Sequence, residues 1–430
     1  MNKKRWILFG ITLTIIFAFM IWRPQKITLR MGVFVGSHWD VPSGDSYQVI
    51  DDAIESFEKA YPYINVEYDS GILKEDYSSW LADRILMGEE PDVFMILSED
   101  FNTLSSIGVL KNLNKNMIND KDFDKSIYYQ NALDSGMFQE IQYALPYESN
   151  PQLMFVNKTL LKKENISLPH DRWTLDDFYS ICQQVTKDTN NDGNIDQYGC
   201  YDFGWLDSIY SHGATLFNET GTESYFDQEP VKESLNYIKK LNNLNLGHTI
   251  TSEEFDKGVV AFMPMSFAQY RTYKPYPWRV KKYTSFEWDC VRMPSLEQNQ
   301  SSEASSLLIG ISSRTQHEKE SWNLLKALTY NPNTQLEIFQ YSQGISPLKS
   351  VTKSKEAANE VNKDNSKDSY IDMNLLNDIM EDAINHEQFK KYESAIRLAD
   401  TRINEMMKED EDIDIALISL QKEMNIYLNE

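Results

Sequence analysis

From Thr28 to Leu97 the sequence switches repeatedly between two periodicities. Residues 28–35 alternate apolar and other side chains and end at Gly36, the pattern of a strand followed by a loop. Val49, Ile50, Ala53, Ile54 and Phe57 then recur at the spacing of one helix face within residues 46–60, and Pro62 ends that helix. Residues 65–68 read as the next strand, and residues 77–86 as a helix that closes at Met87-Gly88. Residues 93–97 form an unbroken apolar run, as expected of a strand buried on both faces. Strand and helix alternating at these lengths predict an α/β fold with parallel sheet. Ligands of such sheets bind beyond the carboxyl ends of the strands, so the loops at 36–44 and 98–102 become candidate site loops.

A second series follows, with strands predicted at 153–156, 259–263 and 307–311. Helices are predicted at 174–185, with Thr174 as cap and Asp177 three residues on, and at 319–329. Residues 298–306 read as a loop and 352–369 as an exposed linker, while 370–430 are helical nearly throughout. A chain of 430 residues is long enough for two globular domains with proper cores.

The net charge of −23 excludes nucleic acid as a partner, because neutralising phosphates needs an excess of Lys and Arg. It also opposes broad docking on anionic lipid. The three cysteines, Cys182, Cys200 and Cys290, show no paired spacing, and no histidine pair makes a metal face. No G-x-S-x-G nucleophile motif is present, no organic cofactor is indicated, and an enzyme is not expected.

At the N-terminus, Lys3, Lys4 and Arg5 precede an uncharged apolar run from Trp6 to Trp22. As a helix its roughly 17 residues reach about 25 Å, enough to span a hydrocarbon core. The flanking tryptophans suit the two interfaces, and the basic residues keep the N-terminus inside. No small-x-small cleavage site follows, and no cysteine precedes Cys182 to accept a lipid. Residues 1–27 are thus expected to be an uncleaved signal anchor that holds the chain on the extracellular face of a bacterial membrane. A cleaved signal peptide is the alternative.

Asp188-Thr189-Asn190-Asn191-Asp192-Gly193-Asn194-Ile195-Asp196 follows the first nine positions of a calcium loop. Asp188, Asn190 and Asp192 supply side-chain oxygens, Gly193 the sharp turn, and Asn194 its carbonyl. The bidentate Glu of the usual last position is replaced by Gly199, so Asp196 or Gln197 must complete the shell. A structural Ca2+ is the expectation, and an ordinary acidic turn the alternative.

Further segments carry a resemblance: Phe57-Glu58-Lys59-Ala60-Tyr61-Pro62, Met87-Gly88-Glu89-Glu90-Pro91-Asp92-Val93-Phe94, and Leu145-Pro146-Tyr147 before Met154-Phe155-Val156-Asn157-Lys158. Next come Trp173-Thr174-Leu175-Asp176-Asp177-Phe178, Phe255-Asp256-Lys257-Gly258-Val259-Val260-Ala261-Phe262 and Trp288-Asp289-Cys290-Val291-Arg292-Met293-Pro294. In this order they resemble the family 1 extracellular solute-binding proteins, the maltose-binding type that serves ABC importers. The resemblance implies a two-lobed periplasmic-binding-protein fold of type II that closes on its ligand by a hinge. Crossings are expected near Glu148, Ala304 and Ser346. They give one lobe of residues 28–148 plus 305–345 and another of 149–304 plus 346–430.

The expected ligand is an oligosaccharide, delivered by a monomer to the permease subunits. Trp39 and Asp40 on the first loop offer a flat face and a carboxylate to a sugar. Glu99 and Asp100 follow the third strand, and Tyr147 and Glu148 stand at the first crossing. Trp205 and Phe267 are expected to close from the other lobe. Two rivals stay open: a sensor subunit reporting to a membrane kinase, and a glycosidase using paired carboxylates.

Overall fold

The computed structural model describes residues 26–42, 47–170, 172–273, 286–296, 302–363 and 371–430. The expected anchor at Trp6–Trp22 lies outside them. Among the described residues, no helix is long and apolar enough to cross a membrane.

Among the described residues, ten strands organise the fold: β1 (Ile27–Gly32), β2 (Ile64–Tyr68), β3 (Val93–Ile96), β4 (Met137–Phe138), β5 (Ile141–Gln142), β6 (Ala144–Asn157), β7 (Tyr198–Cys200), β8 (Val260–Ser266), β9 (Trp288–Val291) and β10 (Ala304–Ile311). Strands β4 and β5 pair with each other, and the rest join in the order β2-β1-β3-β10-β6-β8-β7, with β9 on β6. The predicted parallel pairing holds for β1 with β2 and β3, and for β7 with β8. It fails for β10, which runs antiparallel to both β3 and β6, and for β6 against β8 and β9. The sheet is mixed because its two central strands belong to the crossings between lobes.

The strand read at 153–156 is only the far half of β6. Its 14 residues span both lobes. The near half, Ala144–Pro151, pairs with β10, and the far half, Gln152–Asn157, pairs with β8 and β9. The register against β10 skips Tyr147, since Leu307 faces Glu148 and Leu308 faces Pro146. One extra residue on one strand is a bulge, which bends the strand and sharpens its twist. The molecule is a mixed α/β protein of two lobes strung on this strand.

Helix signals are well placed where caps are strong. The helix Gln48–Ala60 buries Val49, Ile50, Ala53, Ile54 and Phe57, as its spacing demands. Gly88 closes the helix Lys74–Met87 with φ 73°, a left-handed conformation that glycine adopts freely. Thr174 and Asp177 form a reciprocal capping box on the helix Leu175–Val185.

Two segments depart from expectation. The supposed linker holds the helix Lys355–Asn362, capped by Ser354 and buried at Ala357 and Val361. Residues 349–363 and 371–381, assigned by sequence to the second lobe, pack on the first. The helix Met373–Glu381 touches the helix Gln130–Asp134 and β6, and the Tyr129 hydroxyl donates to Asn377 at 2.9 Å. The apolar stripe of this helix finds its partners there, which sequence alone did not reveal. Only after residues 382–391 does the chain return to the second lobe, where Tyr392–Lys408 and Ile413–Asn429 share a core with Ile209, Phe217, Val231 and Leu235.

Candidate functional site

Residues 302–306 and 384–393 meet where the lobes join. The Ile384 amide donates to the Ser302 carbonyl at 2.9 Å, and Glu303 bridges to Ile384. This junction floors a cavity of about 190 Å³. The first lobe contributes Ser98, Phe101 and Asn102, and the second contributes Leu206, Tyr210, Tyr392 and Glu393.

At its centre, His386 Nε2 lies 2.8 Å from Glu303 Oε1, and Tyr210 Oη lies 3.2 Å from His386 Nδ1. Burial pushes the Glu303 carboxyl up, but the imidazolium beside it and the Ser305 hydroxyl outweigh that, and its pKa ends below the usual carboxylate range. Burial likewise pushes His386 down while Glu303 lifts it, and the net direction is upward. Both shifts favour the charged pair over the separated groups. Among the described residues, no salt bridge closes on Glu393. Burial holds its carboxyl above the usual range; His386 and Arg397 pull against this, while Glu99 across the cleft and Glu303 add to it.

A second, smaller cavity of about 30 Å³ lies among Phe34, His38, Tyr147, Glu148, Leu307 and Ser342. Glu148 is buried, and its Oε1 accepts from the Ser342 hydroxyl at 2.6 Å and from the Gly344 amide. Burial raises its pKa, opposed by these donors, by the Trp39 indole and by the nearby Arg271 guanidinium. The Trp39 N–H is directed at this carboxylate but falls short of a full hydrogen bond. Burial and Lys74 push His38 down to about 3, so its ring is neutral, and its Nε2 lies 3.3 Å from Ser98 Oγ. Ser98 also lines the larger cavity, so this contact ties the two together.

The sequence-selected residues fall in different places. Tyr147 and Glu148 line the smaller cavity, with Trp39 beside them. Asp40, with φ 54°, turns outward into an ion pair with Lys74 at 2.6 Å, and its side chain is 82% exposed. Asp100 accepts from the Ser78 hydroxyl at 2.6 Å instead of facing the cavity. Glu99 is exposed at the cleft rim. Trp205 is buried in the second lobe, its Nε1 donating to Asp400 at 2.8 Å, and Phe267 is fully buried on Tyr270. Neither offers a face to a ligand in this conformation. Sequence reading missed Glu303, Tyr210, His386, Tyr392 and Glu393. The one signal for them was the polar Asn385-His386-Glu387-Gln388 break in an otherwise helical tail.

In the acidic loop, Asp188 accepts the amides of Asn191 and Gly193, both at 2.7 Å. Asn190 accepts from the Asp192 amide and Asp192 from the Asn194 amide, each at 2.8 Å, while Asp196 holds Thr189. Gln197 turns away from the loop. Its Nε2 donates to Glu164 and to the Val185 carbonyl, and Lys163 donates to its Oε1. It cannot complete a calcium shell in this orientation. Among the described residues, no three His, Cys, Asp or Glu side chains are gathered closely enough to hold a metal ion. The three cysteines are free.

Residues 52–365 match the model of a family described as bacterial extracellular solute-binding protein. The fold matches an ABC substrate-binding protein of Listeria monocytogenes in complex with cycloalternan, at 18% identity and TM-score 0.70, covering 94% of this chain and 100% of that one. The sugar-binding protein MalE of Xanthomonas citri matches at 15% identity and TM-score 0.76, covering 94% and 97%. The cyclic α-maltosyl-1,6-maltose binding protein of Arthrobacter globiformis matches at 14% identity and TM-score 0.73, covering 94% and 99%. With more than half its length under the family model, and with two lobes meeting at a lined cavity, the chain belongs to the bacterial extracellular solute-binding proteins.

Proposed function

We propose that this solute-binding protein captures an oligosaccharide between its lobes and delivers it to the permease subunits of an ABC importer. The observation that carries the reading is the cavity at the crossings, where both lobes bring carboxylates, hydroxyls and apolar faces together. A sugar presents C–H faces and hydroxyls at once, so a site for it needs Phe101 and Leu206 as well as Glu303 and Tyr210. The ligands named for the Listeria and Arthrobacter neighbours, both saccharides, point the same way. In this reading the first lobe is residues 28–148 plus 305–381 and the second is 149–304 plus 392–430, with 382–391 crossing between them. The protein acts as a monomer without catalysis, and residues 1–27 anchor it to the outer face of the membrane. The smaller cavity, with Trp39, Tyr147 and Glu148, extends the site as the cleft rearranges.

A thermal-shift screen of the whole chain against oligosaccharides tests the reading. A true ligand at about 100 times its Kd adds roughly 2.7 kcal/mol of stability. If no saccharide shifts the melting temperature, the carbohydrate reading fails.

Calcium at the acidic loop is a second proposal, supported by the nine-position pattern and the three side chains Asp188, Asn190 and Asp192. Without a bidentate Glu the affinity should lie near the weak end, at about 10⁻⁴–10⁻³ M. Millimolar calcium is expected to raise the melting temperature of the parent but not of Asp192→Ala. Equal responses of the two proteins count against the site.

A further inference from the structure

The larger cavity is unbalanced in charge and in hydrogen bonding, in the same sense. Among the described residues that line it, the carboxylates are Glu303 and Glu393 and the one base is His386. His386 bonds Glu303 and its charge also reaches Glu393, but no salt bridge among the described residues closes on Glu393. Arg397 is close enough to act on Glu393 but, like Glu99 and Glu387, lies outside the cavity lining. The two phenols of the wall, Tyr210 and Tyr392, are pushed up first by burial and then by the negative charge around them, including Glu303 and Glu387.

An independent feature comes from the first lobe. Asn102 is 5% exposed, lines the same cavity, and its amide oxygen is buried without a hydrogen-bond partner. Leaving a buried acceptor unpaired costs free energy, which a donor brought to it by a ligand would recover. The Glu393 carboxylate on one wall and the Asn102 carbonyl on the other are both open to donors. A neutral sugar hydroxyl gives one donor, whereas an ammonium group gives three with a full positive charge.

Building on the carbohydrate reading, we infer that the preferred ligand is an amino sugar whose protonated amine lies between Glu393 and Asn102. The apolar side chains Phe101, Leu206 and Ile396 then carry the C–H surface of the ring. The net charge of −23 helps to draw such a cation in.

Calorimetric titration of the full-length protein with four probes tests this: a glucosamine oligosaccharide, its N-acetylated counterpart, a maltooligosaccharide of equal length, and spermidine. The glucosamine oligomer should bind about ten- to a hundredfold more tightly than its acetylated form, the range of one charge-assisted hydrogen bond. Glu393→Gln should remove most of that preference, so that the amine and its acetylated form bind within about twofold of each other, and an unchanged melting temperature of the free protein shows that the variant is folded. Equal affinities for the three saccharides would overturn the inference and leave carbohydrate capture standing. Binding of spermidine alone would overturn both the amino-sugar assignment and the carbohydrate reading. A preference for the amine that survives intact in Glu393→Gln would overturn the placement of the ammonium.

Discussion

Glu303 and His386 join two segments that lie 83 positions apart in sequence, at 2.8 Å. The sign of their pH dependence follows from the two directions of shift. His386 is raised above 6.5, so its contribution is complete below that value and is lost as pH rises through the folded pKa. Glu303 is lowered below 4.5, so its contribution is complete above that value and is lost as pH falls through the folded pKa. The pair therefore stabilises most between those limits. His386→Asn should lower the melting temperature more at about pH 5.5 than at about pH 8.5. An equal loss at both values would mean that the pair is not charged. Glu90 offers a comparison within the first lobe. It is buried, and Arg314 reaches both its carboxylate oxygens while Ser312 donates at 2.9 Å. Burial raises its pKa, but these donors outweigh burial and the net shift is downward. Glu90→Gln should cost about 1–3 kcal/mol in urea unfolding without altering ligand affinity. At this scale the sequence is least legible. Glu148, expected at the crossing as a carboxylate for the ligand, is buried with its Oε1 held by Ser342 and Gly344, and nothing local to Trp205 says that its indole is taken by Asp400. Partner choice over such separations is decided by the fold.

Strand β6 is the element on which the rest depends. Its near half is tied to β10 and its far half to β8 and β9, with Ser149 and Ser306 linked by hydroxyls at 2.9 Å. Beside it, Gly344 passes so close that a Cβ there would lie 2.5 Å from Glu148 Oε1 and 2.7 Å from the Ser149 carbonyl. Backbone cannot yield as a flexible side chain can, so Gly344→Ala should destabilise by about 1–3 kcal/mol. It should also displace Glu148, which the melting curve and a crystal structure of the variant would report. Unchanged stability would mean that the turn at Gly344 is freer than it stands. Elements with a strong local signal are readable: the helix face from Val49 to Phe57, the box of Thr174 and Asp177, the apolar run of β3. Strand direction is not, because antiparallel β10 carries the same apolar run, Leu307–Ile311, as a parallel strand would. The helix Lys355–Asn362 is hidden by its polar composition, although Ala357 and Val361 are spaced for one buried face.

At the scale of the molecule, two lobes share three crossings, at β6, at Ser302–Ala304 and at 382–391, and the larger cavity sits against the last two. The order of segments along the chain makes this architecture legible from sequence, because βα units of this length leave few ways to fold. The third crossing is misplaced by some forty residues, roughly the span from Ser346 to His386, since a helical stripe does not say which lobe will cover it. The site follows from the crossings: ligand capture couples to closure when both lobes must touch the same molecule. The central claim is thus that the saccharide binds at Glu303, Tyr210 and their neighbours. Isothermal titration of the saccharide identified by thermal shift into the parent, Glu303→Gln and Tyr210→Phe measures this directly. Capture at the crossings predicts that each variant loses about ten- to a hundredfold in affinity while remaining folded. Affinities within about twofold of the parent for both folded variants would contradict it and place the ligand elsewhere.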